Sequence, residues 1–164
     1  MCAAACSSAH EDLPSHELRS PGRRLPAGDS FEGSVVSASG RLRGEAGRLH
    51  IGLTVGSSHT ASRSLTVVIT PRRCGAARRC LRLAGTLKGT LSYQAHQIPD
   101  TGARLSLRAS GVVKPIGAVS ASGFVHGTGF IRSGRETLQL TLAGSGARVS
   151  VEGRSSLLPG FTAP

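Results

Sequence analysis

The chain has 164 residues, of which 38% are apolar and only 3% aromatic, and its formal charge at pH 7 is +11. That length suits one domain with a core of small aliphatic side chains, and no run of about eighteen apolar residues is present to form a transmembrane helix. The charge invites a polyanion as partner, but Lys88 and Lys114 are the only lysines among 20 basic residues and Asn is absent, a composition that GC-rich coding would also produce.

Residues 1–29 carry Glu11, Asp12, Glu17 and Asp29, three Pro and almost no apolar periodicity. They hold too little apolar surface to offset the entropy of ordering, so they read as a disordered tail or the remnant of a signal. The small residues from Met1 to Ala9 resemble the end of a secretory signal, and Ala3 to Cys6 resembles a bacterial lipoprotein box. This reading makes Cys6 a candidate lipid anchor and places the protein in the secreted or cell-envelope compartment.

Residues 30–164 read as a single antiparallel β domain. From Phe31 onward the pattern has a period of two. Leu49, Ile51, Leu53 and Val55 alternate with His50, Gly52 and Thr54, and Leu65, Val67 and Ile69 share one face. Leu81, Leu83, Leu87 and Leu91 continue the pattern in one long segment, followed by Leu105 with Leu107, Leu138 to Leu142, and Val149 with Val151. One-sided alternation is the signature of antiparallel sheet with one solvated face.

Turn residues separate the runs at Gly40 to Gly47, Pro71 to Gly75, Pro99 to Gly102, Lys114 to Gly117, Ser133-Gly134 and Gly144-Ser145-Gly146. The fold class is therefore all-β, an antiparallel barrel or barrel-like sandwich of seven or eight strands. Gly85, Gly89, Gly123, Gly127 and Gly129 lie inside the runs, where strongly coiled strands need bends, and this favours the barrel.

Between 111 and 161, Gly111, Pro115-Ile116-Gly117, His126-Gly127-Thr128-Gly129-Phe130-Ile131, Leu140-Thr141-Leu142 and Leu158-Pro159-Gly160-Phe161 carry a resemblance. The segment resembles uncharacterised bacterial secreted β-rich proteins and is loosely similar to the allene oxide cyclase and dirigent-type barrels. The resemblance implies more chain after the Pro-Gly-Phe segment, so the domain reads as truncated at its C-terminus. It also implies an isomerase-like enzyme with a site inside the barrel as one reading of function.

The residues themselves offer little catalytic chemistry. No nucleophile elbow, phosphate-binding loop or dinucleotide fingerprint occurs, the acidic residues are scattered, and His50 and His126 fall on the outward phase. The tail sets Cys2, Cys6, His10 and His16 close together, but without the folding segment that a zinc finger places between its Cys and His pairs. Neither a metal nor a cofactor is expected.

Cys74 and Cys80 flank one turn at positions of the same phase. If the strands stay extended through Pro71, their Cα atoms fall ~4.5 to 5.5 Å apart, within disulfide range, so an oxidised Cys74–Cys80 bridge is expected. Arg72, Arg73, Arg78, Arg79 and Arg82 surround that turn, and no acidic residue lies between Glu45 and Asp100 to neutralise it locally. Guanidinium groups at this density suit phosphate or sulfate. The favoured reading is a non-catalytic extracytoplasmic β module, structural or ligand-binding, and the alternative is a polyanion-binding domain that uses this hairpin.

Overall fold

A computed structural model of the chain describes residues 28–56, 62–73, 80–93, 104–126 and 136–155. Eight strands follow in chain order: β1 (Gly28–Gly40), β2 (Arg48–Val55), β3 (Ser62–Pro71), β4 (Ala84–Tyr93), β5 (Arg104–Lys114), β6 (Gly117–His126), β7 (Thr137–Gly144) and β8 (Ala147–Ser155). Each pairs antiparallel with the next, and β8 returns to β1, so the sheet closes as an up-and-down barrel. Closure leaves no strand edge unpaired.

The registers set the size of the barrel. A path from partner to partner leaves β1 at Gly28, passes Thr54, Thr66, Lys88, Ser110, Ser120, Ala143 and Arg148, and rejoins β1 at Ser39. The return is displaced by about ten residues once the bulge between Val35 and Ser37 is discounted, a stagger that tilts eight strands by roughly 40°. A barrel of this size has an interior that side chains can fill.

Alternation decides what fills it. Phe31, Leu49, Ile51, Leu65, Val67, Ile69, Leu87, Leu107, Leu138, Leu140, Leu142, Val149 and Val151 point inward and are buried. Outward positions are largely Ser, Thr and charged residues, with Val36, Val68 and Val112 the large exposed apolar residues among those described. This polarity is the reverse of the lipid-facing apolar band of an outer-membrane barrel.

Neighbouring strands approach closely where glycine faces the interior. A Cβ on Gly89 would stand 1.9 Å from the Arg108 carbonyl oxygen, and one on Gly123 1.9 Å from that of Gln139. A Cβ on Gly85 would stand 2.1 Å from the Val112 carbonyl oxygen, so these three glycines lie where neighbouring strands approach closely; the register runs through all three without a bulge, and Gly127 and Gly129 lie outside the described residues. At the β7–β8 turn Ser145 and Gly146 both have positive φ, as a two-residue turn between twisted strands requires.

Two expectations need correction. Leu81 and Leu83 are buried as their alternation implies, but they precede β4 and belong to no strand. β3 ends at Pro71, and the ladder with β4 runs only as far as the pair Ile69 and Gly85. Cys80 therefore does not lie on a strand extended from the β3–β4 ladder; it forms an isolated parallel bridge with Ala46, and the Leu81 N–H donates to the Ala46 carbonyl. The alternation here goes with burial, and among the described residues no ladder pairs Leu81 to Leu83.

Candidate functional site

An up-and-down meander places every second connection at the same end. The β1–β2, β3–β4, β5–β6 and β7–β8 connections thus share one end of this barrel. At that end Leu42, Leu81, Leu83 and Ile116 are buried in the core cluster. Their burial leaves the polar residues of the same described segments on the rim.

The rim is cationic. Arg41 and Arg43 lie in the first connection and Arg48 opens β2; Arg72, Arg73 and Arg82 belong to the second connection; Lys114 ends β5 and Arg148 lies near the start of β8. All of these are exposed. Glu45, in the first connection, and Glu32 are the carboxylates near them among the described residues. Arg78, Arg79 and Cys74 lie outside the described residues, as do Cys2, Cys6, His10, His16, His59 and His96.

Arg41 serves the fold as well as the charge. Its Nη2 donates to the Pro115 carbonyl at 3.0 Å and also to that of Ile116, tying the first connection to the β5–β6 turn.

Arg72 is placed by backbone. Its N–H donates to the Arg48 carbonyl at 2.8 Å, which carries the chain one residue past β3 alongside β2. Its side chain then crosses the outer face to Glu32 on β1, where Nε donates to Oε2 at 2.9 Å and Nη2 donates to Oε1. His50, the β2 register partner of Glu32, brings Nδ1 to 3.0 Å from the same Oε1. The Arg72 hydrogen bond, followed by that of His50, holds the Glu32 carboxyl below its usual range. The absence of a local carboxylate in sequence thus did not mean absence in space: β1 supplies one, 40 residues away.

Glu32, Arg48, Pro71, Arg72 and Arg73 line one open hollow of about 510 Å³. Neither Arg48 nor Arg73 has a carboxylate partner among the described residues. Among the described residues the hollow therefore brings together three guanidinium groups and one carboxylate.

The opposite end has different chemistry. On the outer face Arg104 stacks 3.6 Å over the Phe124 ring, and His126 lies 6.2 Å from the same ring. Burial, and then the nearby Arg104 charge, push His126 below its ordinary pKa. Glu136 is the one charged side chain buried among the described residues, at 6% exposure, and its carbonyl accepts from the Ser155 N–H at 2.9 Å.

The described interior is apolar, and no group of three His, Cys, Asp or Glu residues gathers among the described residues. Sequence reasoning found Arg72, Arg73 and Arg82 but not Glu32, Arg41, Arg43, Arg48, Lys114 or Arg148. Placing alternate hairpins at one end would have grouped all of these except Glu32. No helix of the described residues is long and apolar enough to cross a membrane. No family model matches the chain, and neither the curated proteins nor the solved structures compared with it give a match.

Proposed function

We propose that this chain is a non-catalytic extracytoplasmic β-barrel module that binds polyanions through the cationic end of the barrel. One observation carries the reading: two connections and the strand ends beside the other two bring basic residues to one rim, around the buried side chains of Leu42, Leu81, Leu83 and Ile116. A rigid barrel holds these cations at fixed spacing, so binding a repeating anion costs little ordering of the protein. Guanidinium groups dominate the rim, and they engage phosphate and sulfate with paired donors. The apolar filling of the described interior supports a role at the surface rather than within the barrel.

The test is the salt dependence of binding to a generic DNA duplex. With three or four phosphates engaged, log affinity falls against log salt with a slope of about −3 to −4, and changing Arg73 and Arg82 together to Ala flattens it by about one to two units. No binding at low salt, or a slope unaltered by the double substitution, overturns the proposal.

A further inference from the structure

The hollow between Arg48, Arg72 and Arg73 has the make-up of a subsite for one anion that is already filled. Arg72 presents Nε and Nη2 side by side to the two oxygens of Glu32. This fork does not distinguish a carboxylate from two oxygens of a tetrahedral phosphate or sulfate. Glu32 is also a poor permanent partner: its side chain is 41% exposed and that of Arg72 is 53% exposed, so water competes for both.

The charges in the hollow do not balance. Among the described residues Glu32 is the carboxylate in the lining and pairs with Arg72, which leaves the positive charges of Arg48 and Arg73 over before His50 is considered. A dianionic oxyanion would compensate that excess if it entered beside Arg48 and Arg73 and displaced the carboxylate from Arg72. Pro71 adds a fixed wall, and the Arg72 N–H bond to the Arg48 carbonyl holds the two arginine backbones together.

We propose that this hollow is a subsite for a single tetrahedral oxyanion, a phosphate or sulfate monoester group, and that Glu32 occupies the Arg72 fork in the free protein as an internal stand-in for it. Glu32 keeps the fork in binding geometry and at the same time competes with the ligand. The subsite lies on the cationic rim and deepens the polyanion reading, since it would take one terminal or pendant ester group of the polymer.

The experiment titrates inorganic phosphate, and separately inorganic sulfate, into the folded protein and into Glu32→Gln, following the Arg72 Nε–H resonance and the heat of binding. A Gln keeps the shape and removes the competing charge. If Glu32 holds the fork about nine-tenths of the time, its removal tightens the apparent affinity about tenfold. Phosphate binding with sulfate excluded assigns the subsite to phosphate esters, and the reverse assigns it to sulfate esters. An Arg72 resonance that does not move with either anion, or a Glu32→Gln protein that binds no more tightly than the wild type, overturns the inference.

Arg48→Gln with Arg73→Gln is the second variant. It leaves the Glu32–Arg72 pair in place and is expected to weaken anion binding at least tenfold; unchanged binding refutes the subsite. Duplex DNA binding is measured on the same samples. Its loss with anion binding retained strikes the proposed function alone, while intact DNA binding with no effect of Glu32→Gln strikes the subsite alone.

Discussion

The sharpest test of how this barrel is built is Gly89→Ala. An added Cβ meets the Arg108 carbonyl oxygen at 1.9 Å and the Ala109 Cα at 2.5 Å, where ordinary contact is 3.4–4 Å. Both obstacles are backbone, so no rotamer change makes room, and β4 and β5 must part locally. Overpacking a core costs about 1–3 kcal/mol, and losing two ladder hydrogen bonds around the Gly89–Ala109 pair adds roughly 0.5–1.5 kcal/mol each. The expected loss is about 3 kcal/mol, or roughly 10 °C in melting temperature for a domain of this size.

Gly52→Ala is the control, because its Cβ meets nothing within 4 Å. It is expected to be neutral or to stabilise by about 0.5 kcal/mol, since Ala loses less backbone entropy than Gly in a strand. Urea unfolding followed by circular dichroism at the β band measures both. Equal stabilities for the two variants, or a Gly89→Ala loss below about 1 kcal/mol, would refute the claim that inward glycines let neighbouring strands approach so closely.

Three further outcomes are expected. His126 should titrate with a midpoint below the ordinary 6.5, and Arg104→Gln should move it back up, read by proton NMR. Because the folded state binds this proton less readily than the unfolded one, stability should decline as pH falls from about 6.5 towards the folded midpoint, and His126→Gln should flatten that decline. Arg41→Ala should cost about 1 kcal/mol through its bonds to the Pro115 and Ile116 carbonyls, and amide exchange should rise at the β5–β6 turn; unchanged exchange there would mean that Arg41 ties nothing down. Cys74 and Cys80 are expected to resist alkylation until a reductant is added, in protein recovered from an oxidising compartment, and alkylation of both thiols without reductant removes the compartment argument.

Much of the fold was legible in the residues because it rests on local geometry. Successive side chains on a strand point to opposite faces, so the alternation from Leu49 to Val55 or Leu138 to Leu142 identifies both the strand and its buried side. The Gly144-Ser145-Gly146 turn was readable for a similar reason, since glycine takes the positive φ found at Gly146 without a Cβ clash. The same rule misled at Leu81 and Leu83, whose alternation reflects burial under the barrel mouth rather than strand pairing.

The candidate site was only half legible. Arg72 and Arg73 stand together in the sequence as part of a basic run, and that run was visible. Whether a carboxylate neutralises it depends on which strands lie side by side, and Glu32 reaches Arg72 only because β1, β2 and the end of β3 are adjacent in register. The gathering of Arg41, Arg48, Lys114 and Arg148 around the same rim likewise follows from the meander and its closure. The sequence by itself thus determined the strands, their inward faces and the excess of positive charge, because each depends on a residue and its near neighbours. Only the tertiary structure decided closure, stagger and the pairing of Glu32 with Arg72, because these depend on hydrogen-bond register summed around all eight strands, to which no single stretch of chain is sensitive.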